Sequence, residues 1–223
     1  MSESSRINKS ITIKLADVEL EGKLVVPEKA IGLVIFSHGS GSSHHSPRNN
    51  FVAVLLQQKG LATLLFDQLT EEEANNAENR LNIDLLTTRL INVTKWIQQQ
   101  EETKHLPIGY FGASTGAASA LRSAAILGDQ IKAVVSRGGR PDMALQDLTM
   151  VNAPTLLIVG GLDVEVIKQN ERAYQKLNCT RNLKIIPNAS HLFEEAGKLQ
   201  EVAHITSNWF KENLVPEKIG GHV

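Results

Sequence analysis

Phe111-Gly112-Ala113-Ser114-Thr115-Gly116 is the stretch whose reading decides the fold of this chain. It has the form Gly-x-Ser-x-Gly. An apolar run (107–111) precedes it and a small-residue run with helical character (117–127) follows. Between a strand and a helix, such a pentapeptide is a nucleophile elbow. The turn is so tight that the strand and helix backbones nearly touch. The residues two before and two after the serine must therefore lack a Cβ, and here they are Gly112 and Gly116. The serine itself is expected in a strained conformation that lifts its hydroxyl above the sheet edge. A plain Gly/Ser turn is the competing reading; the strand before and the helix after favour the elbow.

Outward from the elbow, apolar runs alternate with helical patterns. Residues 11–15 and 18–26 alternate apolar and polar and read as two half-exposed strands, the second ended by Pro27. Residues 32–36, 61–66, 107–111, 131–135 and 155–159 are nearly continuous apolar runs, as expected of strands covered on both faces. Residues 183–186 make the last strand. Helices are expected at 50–59, with Phe51, Val54 and Leu55 on one face, and at 82–101, with Ile83, Leu86, Leu90, Val93 and Ile97 in register. Two more follow at 164–177 and 194–214, the last with Leu199, Val202, Ile205 and Trp209 facing inward. The charged stretch 71–80 reads as a loop or a first helical turn. The alternation predicts an α/β fold with an eight-stranded, mostly parallel sheet and helices on both faces. The segment between Val135 and Thr155 has no strong helical period, so no large cap domain is expected. Residues 1–10 and 215–223 are expected to be flexible, flanking a single domain at 11–214.

Composition narrows the function. The chain has 223 residues, with 24 acidic and 23 basic side chains and a net charge of −1, so no basic surplus argues for nucleic acid or an anionic membrane. The single cysteine, Cys179, excludes an internal disulfide and reads as a surface or half-buried thiol. Residues 1–10 do not resemble a signal peptide, and no apolar run is long enough to span a bilayer. A soluble cytoplasmic protein, monomer or homodimer, is the expectation.

In open parallel sheets, ligands bind beyond the carboxyl ends of the strands. Three chemistry-bearing residues fall there on separate strands: Ser114, then Asp163 after Gly160-Gly161-Leu162, then His191 after Pro187-Asn188-Ala189-Ser190. A serine hydroxyl needs a base beside it. His191 would take its proton and return it to the leaving group, and Asp163 would hold the tautomer of His191. The oxyanion donors are expected to be the backbone N–H of Thr115 and one in the Gly39-Ser40-Gly41 loop, best that of Ser40. Glu165 and Asp142 compete with Asp163. His105, His204 and His222 fall before a strand, inside a helix and in the tail, away from the elbow. Arg137 and Arg140 stand at a strand end that borders the pocket and could clamp a substrate carboxylate, against a solvated turn or an ion pair with Asp142. Arg48 is a weaker candidate, and His38 is a further substrate-side candidate or a brace for the oxyanion loop. The spacing of His38, His44, His45 and Asp67 matches no metal-ligand motif, and no metal is expected.

Together, His38-Gly39-Ser40-Gly41, Gly112-Ala113-Ser114-Thr115-Gly116, Gly160-Gly161-Leu162-Asp163 and Ala189-Ser190-His191-Leu192-Phe193 resemble the α/β-hydrolase superfamily, and within it the dienelactone hydrolase-like proteins. The likeness covers residues 11–210. It implies a capless α/β-hydrolase domain without a cofactor, acting on a small ester or acyl compound. Dienelactone hydrolases use a cysteine where this chain has Ser114, which favours ordinary ester chemistry through an acyl-enzyme. The chain also resembles the hydrolase half of bacterial proteins that carry a phosphoribosyltransferase domain, for which its length leaves no room. A hydrolase-shaped protein that binds a small carboxylate or a protein partner without turnover is the alternative.

Overall fold

The continuous apolar runs become the inner strands of one eight-stranded sheet in the computed structural model, which describes residues 5–214, with side chains from Ile7 onward. The strands are β1 (Ser5–Lys14), β2 (Glu19–Pro27), β3 (Gly32–Ser37), β4 (Leu61–Phe66), β5 (Ile108–Ala113), β6 (Ile131–Arg137), β7 (Thr155–Gly160) and β8 (Arg181–Ile186). They lie in the order β1-β2-β4-β3-β5-β6-β7-β8. Only β2 runs against its neighbours; from β4 to β8 all pairings are parallel. Every residue of β3, β4, β5 and β7 is buried, as continuous apolarity requires of strands with helices on both faces.

The helices are α1 (Pro47–Gln58), α2 (Glu71–Asn75), α3 (Ile83–Ile97), α4 (Thr115–Leu127), α5 (Val164–Lys176) and α6 (Lys198–Leu214). α1 and α6 share one core with one face of the sheet, through Val52, Leu56, Val202 and Phe210. α3, α4 and α5 cover the other, through Leu90, Val93, Leu121 and Ala173. The five apolar residues expected to align on α3 are all buried, and Asn82 caps the helix by accepting the Leu85 N–H at 3.1 Å. β6 and β7 are joined through two short 3₁₀ turns, Pro141–Ala144 and Leu148–Met150, with no cap domain between them.

Some expectations are corrected. The first strand begins at Ser5 rather than residue 11, because the period-two pattern Ile7, Ile11, Ile13 reaches back along β2 and pairs Ser5 with Pro27. Residues 5–10 are therefore paired strand and not a loose leader; residues 1–4 and 215–223 lie outside the described residues. On α1 the inward stripe is Asn49, Val52, Ala53 and Leu56, and Val54 is exposed. The helix starts at Pro47, three residues earlier than expected, with Ser46 as its cap. On α6 the buried stripe centres on Val202, Thr206 and Phe210, with Leu199, Ile205 and Trp209 at its margins. The 71–80 stretch forms α2, closed by a capping box between Thr70 and Glu73, and a 3₁₀ turn at Asn79–Leu81.

Candidate active site

β5 ends at Ala113, and α4 begins at Thr115. Ser114 alone makes the turn, at φ 52° and ψ −123°. A side chain rarely adopts this conformation, and neighbouring backbone holds it: the Ser114 N–H donates to Arg137 O at 3.2 Å, and the Arg140 N–H donates to Ser114 O at 3.0 Å. The glycines do what the motif requires, though against different partners. A Cβ on Gly112 would sit 2.4 Å from Ala117 Cα of α4, while one on Gly116 would sit 2.1 Å from Ser37 O at the end of β3. Gly112 lets the helix close on its own strand, and Gly116 lets it close on the neighbouring strand.

Asp163 stands one turn beyond β7 at the N-cap of α5, yet its carboxylate makes no capping bond. It is directed instead at His191, whose Nδ1 lies 2.6 Å from Asp163 Oδ2. A carboxylate only accepts, so Nδ1 carries the proton and Nε2 is left with its lone pair, the tautomer a general base needs. Gly160 makes this approach possible, because a Cβ there would strike Ser190 O at 2.4 Å and Ala189 O at 2.5 Å. The loop bearing His191 is fixed further by Leu162 N–H to Ala189 O at 3.0 Å and by Ser190 N–H to the Glu195 carboxylate at 3.0 Å. The rivals of Asp163 are engaged elsewhere: Glu165 pairs with Lys168 at 2.8 Å and Asp142 with Arg140.

Ser114 and His191 line one cavity of about 250 Å³, together with Ser40, Arg48, Asn49 and Arg137. Their side chains share it without a hydrogen bond between them, a looseness usual before substrate arrives. Gly39 lies against Ser114; a Cβ there would be 3.1 Å from Ser114 Cβ. The two expected oxyanion residues meet. Thr115 is the first residue of α4, so its N–H has no intrahelical acceptor. The Ser40 N–H donates to Thr115 Oγ1 at 2.8 Å, a partner it must release to meet an oxyanion.

The remaining candidates separate. Of the readings open for Arg140, the ion pair is the one formed, a two-pronged contact with Asp142 at 2.9 Å and 2.8 Å. That pair raises the Arg140 pKa above its ordinary value. Arg137 is buried and lines the same cavity as Ser114. Of its two readings, His38 takes that of a brace. Its Nδ1 lies 2.9 Å from Gly39 O and its Nε2 accepts the Gln68 N–H at 3.2 Å, so both nitrogens are used within the protein. His44 Nδ1 and N–H both meet Asp67, at 2.8 Å and 2.6 Å, which pins the loop after Gly39-Ser40-Gly41. Cys179 is half-buried beside Thr155, at the opposite end of β7 from Asp163, and burial raises its pKa. Sequence reasoning missed Asn170, which donates to Gly139 O at 3.0 Å from within α5, and the buried Ser37–Gln68–Ser119 cluster at the end of β3. No local pattern marks either. A larger cavity of about 450 Å³ lies on the other side of the Gly39–Ser43 segment, lined by Asp67, Leu69, Arg80 and Leu86. Among the described residues, no helix is long and apolar enough to cross a membrane.

Comparison with known proteins places the fold. The model of the dienelactone hydrolase family matches residues 52–212. A crystal structure of a dienelactone hydrolase from Anabaena variabilis is 50% identical, with a TM-score of 0.91, covering 93% of this chain and 98% of that one. A Xanthomonas campestris protein described as an α/β serine hydrolase without a lid shares the fold at 20% identity and a TM-score of 0.77, over 93% of this chain and 95% of its own. Two Mycobacterium tuberculosis proteins, from strains CDC 1551 and H37Rv, carry names that give them provisionally as phosphoribosyl transferases. Each is 50% identical over 207 residues, which is 93% of this chain and 47% of theirs. The chain thus spans about half the length of the curated relatives it matches.

Proposed function

The chain belongs to the dienelactone hydrolase family, and from that and the site geometry we propose that it is a serine hydrolase cleaving a carboxylic ester or related small acyl compound. The observation that carries the reading is the His191–Asp163 contact at 2.6 Å, made beside a cavity that Ser114 also lines. His191 Nε2 takes the Ser114 proton as Oγ bonds to the ester carbonyl carbon. The carbonyl oxygen becomes an oxyanion facing the Thr115 and Ser40 N–H groups. Collapse breaks the carbon–oxygen bond to the leaving alcohol, which receives the proton from His191, and leaves an acyl-enzyme. Water then repeats the sequence, giving the acid and free Ser114. Asp163 keeps the imidazolium oriented throughout.

The names of the mycobacterial relatives point to phosphoribosyl transfer. We assign that activity to the part of those proteins that this chain does not span.

The test uses a fluorophosphonate probe and a short p-nitrophenyl ester. Wild type is expected to be labelled at Ser114 and to turn the ester over at least about a thousandfold faster than Ser114→Ala. Equal rates and no labelling would favour the other reading, a protein that binds a small acid without turnover. The tether between Ser40 N–H and Thr115 Oγ1 is the observation on that side.

A further inference from the structure

Arg137 is the last residue of β6 and is 7% exposed. Its Nε and Nη1 are closed off from solvent with no acceptor in the protein. A buried charge without a partner is costly, and native structures keep few of them. Its surroundings give it no counter-charge. Among the described residues, the cavity that Arg137 shares with Ser114 and His191 is lined by no aspartate or glutamate, and a second arginine, Arg48, lines it too. Arg48 is tied to Glu194 at 2.9 Å but remains partly exposed. Burial, and then the nearby Arg48, pull the Arg137 pKa down to about 10, which leaves it charged at neutral pH. Asn49, on the same wall, adds a third buried polar atom without a partner, Oδ1.

We propose that Arg137 binds an anionic group of the substrate, so that the preferred substrates are esters carrying a carboxylate or a phosphate close to the scissile bond. This deepens the serine-hydrolase reading and rests on it. The planar guanidinium presents paired N–H donors that match two oxygens of either anion. Packing at the end of β6 holds it in place before the ligand arrives. A structural role would need acceptors in the protein, and Nε and Nη1 have none. A general oxyanion role would speed neutral and charged esters alike.

Two measurements test this. The first is binding without turnover, in the Ser114→Ala protein. Its Tm is followed with monomethyl succinate, with neutral dimethyl succinate and with inorganic phosphate. At least one anion is expected to raise Tm well beyond the neutral diester, and adding Arg137→Met should remove that shift. A larger response to the succinate monoester marks a carboxylate substrate; a larger response to phosphate marks a phosphorylated one. The second is the ratio of kcat/KM for the p-nitrophenyl monoester of succinic acid to that for p-nitrophenyl butyrate. Wild type is expected to favour the charged ester at least about tenfold, Arg137→Met to bring the ratio near one, and Arg137→Lys to keep part of it. Arg137→Met should also raise the Tm of the free protein, because an apolar side chain replaces an unpaired buried cation. A residue with only a structural task would lower it. If neither anion stabilises Ser114→Ala and the ester ratio is unmoved in Arg137→Met and Arg137→Lys, the proposal is overturned. If wild type hydrolyses neither ester faster than Ser114→Ala, the hydrolase reading falls, and the binding measurement still decides the role of Arg137.

Discussion

Ser114 holds its strained backbone because residues outside the turn grip it, Arg137 through its carbonyl and Arg140 through its N–H. A residue in such a conformation costs about 1–3 kcal/mol, which the surrounding fold must offset. His38 is a second residue whose state is imposed from outside. Its Nδ1 must donate to Gly39 O, since a carbonyl only accepts, and its Nε2 must accept from Gln68 N–H. The ring is therefore neutral, and a proton on Nε2 would set one donor against another. Burial lowers the His38 pKa below its ordinary 6.5; the Gly39 carbonyl and Asp67 oppose the shift, and His44 adds to it. The sign follows from linkage. Below pH 6.5 the unfolded chain binds the proton that the folded chain refuses, so the stability from His38 is complete above 6.5 and is lost as pH falls through the folded value. We expect Tm to decline as pH drops below 6.5, and His38→Gln to flatten that decline. A variant that keeps the wild-type slope would show that His38 is not the group responsible.

The elements meet where side chains are missing. α4 reaches the sheet through Gly112 and Gly116, and the His191 loop reaches β7 over Gly160. Asp163 shows the same priority of site over local rule: it occupies a helix N-cap, yet leaves the cap unmade to hold His191. Gly116 offers the cleanest test. A methyl group there would overlap the Ser37 and His38 carbonyl oxygens, at 2.1 Å and 2.5 Å, and these are backbone atoms that cannot swing aside. α4 would have to lift from β3 and take Ser114 with it. Gly116→Ala is expected to lose about 3 kcal/mol or more in urea unfolding and to lose fluorophosphonate labelling with it. A variant within about 1 kcal/mol of wild type would mean that α4 docks some other way.

At the scale of the whole molecule, what the sequence made legible was what depends on strand ends. Continuous apolar runs located the parallel strands, and the residue beyond each end named Ser114, Asp163 and His191 without any knowledge of distance. The fate of each arginine was not legible. Arg137 and Arg140 are three residues apart, and which one turns inward depends on the pleat of β6 and on the Asp142 carboxylate beside Arg140. Asn49 and Asn170 were missed because each lies on a helical face whose phase is set only when the helix docks. The phase of α1 was misread for the same reason. Both apolar layers rest on the same sheet, and this bears on how the protein unfolds. The chain has two tryptophans. Trp96 of α3 packs against the core on one face, and Trp209 of α6 against the core on the other. A chain of this size often unfolds through intermediates. Here β3, β4, β5 and β7 are buried on both faces, so neither layer can open without exposing strands that the other layer needs. The residues we propose as catalytic come from the ends of β5, β7 and β8, so the site should fail with the same event. Trp96→Phe and Trp209→Phe leave one reporter each. Normalised to its own far-UV transition in urea, each reporter is expected to share that midpoint, and ester hydrolysis should be lost at the same point. Separated midpoints for the two reporters would show that one face can melt while the other holds, and the two layers would then count as independent folding units.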